Sequence, residues 1–322
     1  MSDTTASLRR KINSAGDLQS VVRTMKALAA ASIGQYEQSV RALADYYRTV
    51  ELGLAACFRE MEPSVSTVER KRQTDAGAIG AVVFGSDQGL VGQFNDVVAD
   101  HAVKILGDLT DTPQIWAVGE RVHERLMDRG LPLIGLFTVP NSVKAITPLV
   151  GQILTESEAH RSHGEIVELH LFYNHPSSGA VYVPVNQQLL PLDETWRRKL
   201  AELSWPMNNL PQVVGGNTTT LRALIREYLF VSLFRACAES LASENASRLA
   251  AMQRADKNID ELLEDFNGTF HRLRQGGIDE ELFDVISGFE ALANGGKPAE
   301  RGFTPKRIEP GYSNRLTKTK AG

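Results

Sequence analysis

The N-terminal sixty residues carry apolar side chains at a seven-residue spacing. The repeating positions, all of them apolar, are Leu8, Ala15, Val22, Ala29, Tyr36, Leu43, Val50 and Cys57. The apolar companions that complete the same face are Ile12, Ile33, Val40, Tyr47 and Leu54, with Leu18 and Met25 covering the remaining gap. No proline occurs in this stretch before Pro63. A seven-residue repeat of this length predicts a long helix that winds around a partner in a left-handed coiled coil.

The C-terminal third repeats this pattern with a single polar member. Its positions are Leu224, Val231, Ala238, Asn245, Met252, Ile259, Phe266 and Leu273. Neither proline nor glycine falls between Thr218 and Asn267, and the threonines at 218–220 offer hydroxyl groups for an N-cap. Gly276 and Gly277 predict the end of this helix, and a second, short helix is expected from about Asp279 to Ala293.

The middle of the chain, about 77–215, alternates buried strands with helices. Strands are predicted at 79–84, 114–118 and 133–137, and a β-hairpin is predicted from 166–173 and 180–190. The helices between them are expected at about 95–106, 120–128 and 142–158. Strands that alternate with helices favour an α/β domain with a largely parallel, Rossmann-like sheet.

The lengths of the two helices predict how these parts are arranged. A helix over 5–60 would be about 80 Å long, whereas a compact chain of this size has a radius of gyration of about 20 Å. We therefore expect the terminal helices to protrude as an antiparallel left-handed coiled coil from the α/β body. The predicted domains are an N-terminal helix (1–62), a central α/β domain (63–217), a C-terminal helix with a tip helix (218–293) and a basic tail (294–322).

Composition narrows the class of protein. The chain has 322 residues, 42% of them hydrophobic, and 35 basic against 39 acidic side chains. This balance is ordinary for a soluble globular protein and argues against a general nucleic-acid binder. No apolar run approaches the ~18 residues of a membrane span, and the N-terminus lacks the apolar core of a secretory signal. A soluble cytoplasmic chain is the default expectation.

One loop is a candidate for binding chemistry. The segment GSDQGLVGQFN (85–95) follows a predicted strand and opens a helix, as loops that hold phosphate do. It lacks both the Lys-Ser/Thr of a phosphate loop and the G-x-G-x-x-G spacing of a dinucleotide site. A structural turn or a subunit contact is therefore favoured over nucleotide binding. The seven histidines do not cluster at ligand spacing, and no nucleophile motif occurs, so no cofactor, metal or catalytic residue is predicted.

The two cysteines are expected to be core thiols. In an antiparallel pair the residue that faces Cys57 should lie near 220–225, which leaves Cys237 about 20 Å away along the helices. A disulfide requires Cα atoms within about 7 Å. Both thiols are therefore predicted to remain free.

Positive charge gathers at both ends of the chain. Residues 1–30 contain five bases against Asp3 and Asp17, a net charge of +3, and 294–322 contain seven bases against two acids, a net of +5. The N-terminal bases, which form either a solvated face or a contact for an acidic partner, are Arg9, Arg10, Lys11, Arg23 and Lys26. The tail also contains Pro298, Pro305 and Pro310, and its composition predicts disorder in isolation.

Four segments of the sequence resemble the γ subunit of F-type ATP synthases, the central stalk of the rotor. They are 8–32, the loop SDQGLVGQFN (86–95), 243–263 and 273–292, and the resemblance covers about 1–293. The family's topology is the one predicted above. The residues that depart from the family pattern are Gln88, Val91, Gln93, Phe94 and Asp279. These differences suggest a divergent branch, with the alternative, often sodium-linked, bacterial ATPases (N-ATPases) as one candidate.

The resemblance implies a mechanical, non-catalytic subunit. One copy would lie inside a ring of α and β subunits, with the ε subunit and the membrane c-ring as further partners. Rotation of the c-ring would change the conformations of the catalytic β subunits. The complex would be peripheral to the cytoplasmic face of the bacterial inner membrane, with no nucleic acid involved. The resemblance leaves the coupling ion, proton or sodium, open.

The resemblance also implies site residues. Those expected to contact the α/β ring are Met25, Lys26, Arg274, Gln275 and Glu281. Those that match the family's foot-loop signature are Asp87, Gly89, Leu90, Gly92 and Asn95. Two alternatives of other classes remain: a coiled-coil scaffold or signalling protein with a degenerate nucleotide-binding domain, and an enzyme that uses the 85–95 loop. Tight ATP binding by the isolated protein would favour either of them.

Overall fold

The computed structural model describes residues 4–60, 78–110, 112–178, 181–192, 194–206, 209, 211–213 and 217–294. The first residues of the predicted central domain, 63–76, and nearly all of the predicted basic tail lie outside these residues. The chain divides into a larger unit, residues 12–264, and a smaller unit that combines residues 1–11 with 265–322. Within the described residues the helices are α1 (Thr5–Glu60), α2 (Phe94–Leu109), α3 (Glu120–Asp128), α4 (Val143–Ser162), α5 (Glu194–Ala201) and α6 (Asn217–Asn294).

The strands form one five-stranded sheet in the order β3-β2-β1-β4-β5. They are β1 (Ala78–Phe84), β2 (Gln114–Val118), β3 (Leu133–Phe137), β4 (Ile166–Pro176) and β5 (Tyr182–Leu190). β1 pairs in parallel with β2 and β4, β2 pairs in parallel with β3, and β5 runs antiparallel to β4. The predicted α/β class, the largely parallel sheet and the β4–β5 hairpin are confirmed.

Alternate residues of β1 and β2 enter two different cores. Ala81, Val83 and Ala117 pack with α2 and α3 on one face of the sheet. Val82 and Trp116 enter a larger core on the other face, which includes residues of α4 and of both long helices. Since successive side chains of a strand point to opposite faces and both faces are covered, β1 and β2 read as continuous apolar runs.

The two long helices run antiparallel within the larger unit. Gln19 hydrogen-bonds Asp260, and the Tyr46 hydroxyl donates to Glu227 Oε2 at 2.8 Å. Residue numbers therefore fall along α6 as they rise along α1. A Cβ atom added at Gly53 would lie 3.1 Å from the Leu224 side chain, which agrees with the predicted facing of Cys57 with 220–225. The antiparallel pair is confirmed for this unit, while the left-handed winding stays a prediction.

The heptad positions are largely the buried ones. Every repeat position of α1 is buried or half-buried, and so are those of α6 up to Phe266, whereas Leu273 is 40% exposed. Leu18 was expected to cover a gap in the seam, but it is 54% exposed. Met25 does pack in that region, beside Val22. The prediction for Leu18 is therefore wrong, because its side chain lies on the outer face of α1.

α6 continues through the expected break at Gly276 and Gly277. The helix extends from Asn217 to Asn294 without interruption, so the predicted separate tip helix is wrong. Glycine in a helix interior costs roughly 0.5–1 kcal/mol relative to alanine but keeps its N–H donor, unlike proline. Both glycines have open space around them. The helix therefore accepts the pair without losing a hydrogen bond.

Candidate functional site

The 85–95 segment is a closed turn at the carboxyl end of β1. The Ser86 N–H donates to Asn95 Oδ1 at 3.0 Å, and Asn95 Nδ2 donates to Ser86 Oγ at 2.9 Å. The Gly85 N–H bonds the Val118 carbonyl at 2.8 Å. A Cβ atom at Gly85 would lie 2.3 Å from Val122 Cβ. Glycine is required there because the turn packs directly against α3.

Asp87 joins this turn to the two neighbouring loops. Its Oδ1 accepts the Glu120 N–H at 3.0 Å, at the first residue of α3. Its Oδ2 accepts the Val139 N–H at 2.9 Å, just after β3. A carboxylate at a helix N-terminus is stabilised by the unpaired N–H groups and by the helix dipole. One side chain therefore connects the ends of three adjacent strands.

Two further contacts fasten the turn to the rest of the larger unit. Ser247 Oγ, on α6, donates to the Val91 carbonyl at 2.5 Å, and Asn174 Nδ2, on β4, donates to the Phe94 carbonyl at 2.9 Å. Sequence reasoning missed both residues. Ser247 lies in the segment 243–263 that carries the resemblance, whereas Asn174 lies one residue beyond the strand predicted at 166–173 and no sequence signal pointed to it.

Leu90 lies at the exposed tip of the turn. Its φ of +63° is in the left-handed region, which is unfavourable for a residue with a side chain, and Gly92 follows with φ +59°. Leu90 is 61% exposed, while Val91 is 2% exposed. The turn thus presents one apolar side chain and buries the next. Gly89 has no heavy atom within 4 Å of a Cβ placed on it.

The contacts favour a structural turn over a phosphate loop. The N–H of Ser86 is bonded to Asn95, and its hydroxyl donates to the Gln88 carbonyl at 2.9 Å. Asp87 adds a carboxylate that would repel an anion. Among the described residues, no three or more His, Cys, Asp or Glu side chains come together in a way that could hold a metal ion.

α6 carries two charged clusters, each built around a buried carboxylate. Glu239 accepts from Arg235 Nε at 2.7 Å and lies 2.8 Å from His175 Nδ1 on β4. Arg248 Nη2 lies 2.7 Å from Glu244 Oε1, with 13% and 7% of the two side chains exposed. Burial raises the pKa of Glu244, against the influence of Arg248. The Arg235–Glu239 and Arg248–Glu244 pairs lie within α6, whereas the contact of His175 with Glu239 joins the helix to β4. Removing a partner of either buried carboxylate would leave its charge uncompensated.

Met25 and Lys26 both contact α6 within the helix pair. Met25 packs against the cluster of Val22, Met252 and Ile259. Lys26 Nζ lies 3.2 Å from Asp256 Oδ2, and Arg23 Nε lies 3.2 Å from Oδ1 of the same residue. Burial disfavours the Asp256 charge, but the hydrogen bonds from Lys26 and Arg23 outweigh it and lower the pKa. A contact of Met25 or Lys26 with a partner stays a prediction.

Arg274, Gln275 and Glu281 lie on the part of α6 that belongs to the smaller unit. All three are exposed, and the described residues give none of them a hydrogen bond or ion pair. Their segment also exposes apolar side chains: Leu273, Ile278, Leu282, Phe283, Val285, Ile286, Phe289 and Leu292. Such a run is typical of a protein-contact surface. That the ring contacts these residues remains a prediction.

Two remaining predictions concern the cysteines and the membrane. Cys57 and Cys237 are both buried, and neither forms a disulfide. Burial raises the pKa of the Cys237 thiol, with Glu244 adding to it. The prediction of two core thiols that are not bridged is therefore confirmed. None of the helices in the described part of the chain combines the length and apolar character needed to span a membrane.

Comparison with known proteins identifies the family. The family model described as ATP synthase matches residues 4–292, so the chain belongs to this ATP synthase family. Two relatives are ATP synthase gamma chains. The one from Moorella thermoacetica is 27% identical over 88% of this chain and 98% of its own. The one from Salinibacter ruber is 28% identical over 90% and 98%.

Solved structures support the same fold. A chain of the Euglena gracilis mitochondrial ATP synthase (OSCP/F1/c-ring) aligns over 93% of this chain and 98% of its own, with a TM-score of 0.60 and 17% identity. A chain of the Tetrahymena thermophila enzyme (central stalk/c-ring) covers 73% of this chain and 99% of its own, with a TM-score of 0.51 and 22% identity. The arrangement of an α/β sheet with long terminal helices is thus the fold of the ATP synthase central stalk.

Proposed function

We propose that this chain is the central-stalk γ subunit of an F-type ATP synthase and couples ion-driven rotation of the c-ring to the catalytic β subunits. One observation carries the proposal. Tyr36 and Leu54 of α1 and Tyr228 of α6 share a single buried core with Val82 and Trp116 of the sheet. A body joined to a helix pair through one close-packed core transmits rotation without slipping, because such cores are not continuously deformable.

Hydrogen bonds and ion pairs join α1 to α6 at two places along the helix pair. Lys26 and Arg23 both contact Asp256, and Tyr46 contacts Glu227 farther along the pair. These directional contacts fix the register between α1 and α6, so that a twist applied to one helix is passed to the other. Apolar packing alone would allow the helices to slide more easily.

Asymmetry converts rotation into a change of nucleotide affinity. One chain has no internal symmetry, so each β subunit around it would meet a different face of the helix pair. Differential contacts select among the conformations of a subunit, whereas equal contacts would shift nothing. In this proposal the nucleotide sites belong to the ring, and the 85–95 turn is a structural joint with no catalytic part.

The exposed end of α6 is the proposed contact with the ring. Arg274, Gln275 and Glu281 lie there among large exposed apolar side chains such as Phe283 (71%) and Phe289 (75%). The resemblance supports Met25 and Lys26 as further contacts. It also supports the ε subunit and the c-ring as partners of the body, at the cytoplasmic face of a bacterial inner membrane, with one copy per complex.

Reconstitution tests the proposal. The cognate α and β subunits with the membrane sector are assembled in vesicles with and without this chain, and ATP hydrolysis is measured under an ion gradient. We expect gradient-sensitive turnover only when the chain is present. Phe289→Ser should lower coupling, whereas the matched control Leu109→Ser, 48% exposed at the end of α2, should leave it unchanged. Equal, fully gradient-sensitive turnover without the chain would rule the proposal out.

A further inference from the structure

A cleft in the larger unit has an apolar floor. It lies between α4, the start of β4, the end of β5 and the first turns of α6, with a volume of about 540 Å³. This size is within the ~300–1,000 Å³ of typical small-molecule sites. The floor is formed by Leu154, Ile166, Leu169, Leu190, Ile225 and Leu229. Ile166 and Leu169 are buried at 4% and 3% exposure.

Positive charge lines the rim of this cleft. Arg161 of α4 and Arg222 and Arg226 of α6 all border it, and none of them has an ion-pair partner among the residues that the structure describes. Glu158 and Glu168 also border the cleft. Three arginines against two glutamates leave the cleft with a net charge of +1.

The two arginines of α6 form a pair that an anion would stabilise. Arg222 and Arg226 are four residues apart, so they are neighbours on one face of the helix. Two like charges at this spacing destabilise a helix. Ile225, next to Arg226 in the sequence, also lines the cleft. A negative group held by both guanidinium groups would turn this repulsion into charge-assisted hydrogen bonds.

We propose that this cleft binds an anionic amphiphile, with its acyl chain on the apolar floor and its carboxylate or phosphate between Arg222 and Arg226. A small inorganic anion would leave the floor exposed to water, and a neutral apolar molecule would leave the arginines unpaired. Only a ligand with both parts satisfies both surfaces. The inference does not depend on the proposed rotor function, because the cleft involves no residue assigned to the ring or to the 85–95 turn.

Calorimetric titration of the full chain tests the inference. The probes are laurate, lauroyl-lysophosphatidate and the neutral monolaurin, each kept below its micelle concentration. We expect saturable binding of one or both anions at a single site, weaker at high salt because charge contributes. The two anions distinguish a free fatty acid from a lipid headgroup as the source. Monolaurin should bind at least tenfold more weakly.

Matched variants decide whether the cleft is the site. The double variant Arg222→Gln/Arg226→Gln should lose at least tenfold in affinity for the bound anion. Arg48→Gln, which changes an exposed arginine of α1 that does not border the cleft, should bind as the wild type does. Thermal unfolding checks that each variant is folded. Any of three results would overturn the inference: no saturable binding of either anion to the wild type, monolaurin binding as tightly as the anion, or unchanged affinity of the double variant for the anion.

Discussion

Ser247 on α6 donates a hydrogen bond to the carbonyl oxygen of Val91, which precedes it by 156 residues in the sequence. Both residues are buried, at 7% and 2% exposure. The bond therefore joins the longest helix directly to the turn at the carboxyl end of β1. Asn174 adds a second bond, from β4 to Phe94, so two distant parts of the chain fasten the same turn.

Removing the Ser247 hydroxyl should destabilise the protein. Ser247→Ala removes one of two hydrogen bonds to the Val91 carbonyl, which still accepts the Phe94 N–H at 3.3 Å. The loss of a typical hydrogen bond costs about 0.5–1.5 kcal/mol. Urea unfolding of the full chain measures the loss. Ser162→Ala is the control, because the Ser162 hydroxyl bonds a carbonyl within its own exposed helical turn and its removal should change stability by less than about 0.5 kcal/mol. Equal effects of the two substitutions would contradict the role given to Ser247.

Asp256 should make the helix pair more stable at neutral than at acid pH. Its pKa is lowered in the folded chain, so folding favours the charged form. The stabilisation is present above the unfolded pKa of about 3.9 and is lost as the pH falls through the lower, folded value. Wild type should therefore exceed Asp256→Asn in stability at pH 7, and the difference should shrink below about pH 4.

Unfolding curves of both proteins between pH 7 and pH 3 test this dependence. High salt at pH 7 should also reduce the difference, because Arg23 and Lys26 are partly exposed, at 59% and 39%. A difference that stayed constant with pH would mean that the carboxylate charge contributes nothing.

Two glycine substitutions should change the stability of the protein in opposite directions. Gly85→Ala would place its Cβ atom 2.3 Å from Val122 Cβ, and such overpacking typically costs 1–3 kcal/mol or more, here about 3. A Cβ atom at Gly107 has no heavy atom within 4 Å. This residue lies in the last turn of α2, where Gly107→Ala should stabilise the protein by about 0.4–1 kcal/mol. Chemical denaturation compares the two. A neutral Gly85→Ala would show that the turn is free to move away from α3.

Replacing both Arg274 and Gln275 with alanine should weaken coupling without unfolding the subunit. Both are exposed and have no partner among the described residues. The free energy of unfolding of the isolated variant should therefore lie within about 0.5 kcal/mol of the wild-type value. Charge-assisted hydrogen bonds to the ring would contribute on the order of 1.5–3 kcal/mol. ATP hydrolysis and ion pumping by the assembled complex are the measurements. Unchanged turnover and pumping would argue against a ring contact at these residues.

The sequence predicted the strands and helices with a clear local pattern, but it missed α5 and the continuation of α6. β2, β3 and α3 have the predicted bounds, because each is a compact apolar or amphipathic run flanked by proline, glycine or polar residues. α5 was not predicted, since its position depends on tertiary packing: the Trp196 ring lies 5.9 Å from Phe58 and 5.0 Å from Tyr228. The continuation of α6 past Gly276 was missed because a glycine pair permits a helix end without imposing one.

For the candidate site, the resemblance pointed to Asp87 and Asn95 but not to what they do. Both side chains bond backbone groups, at Val139 and Ser86 respectively. Backbone N–H and C=O groups do not depend on the residue type, so no spacing of residue types in the sequence could indicate which of them is the partner. The same reason hid Ser247, whose partner is a carbonyl.

The shared core of sheet and helices has a consequence for a broken chain. α1 contributes Tyr36, Val50 and Leu54 to the core that holds Val82 and Leu171 of the sheet. Its attachment to the body is therefore noncovalent as well as covalent. If a protease cut one peptide bond within 61–77, the two fragments should remain associated, because each supplies part of the core that buries the apolar side chains of the other.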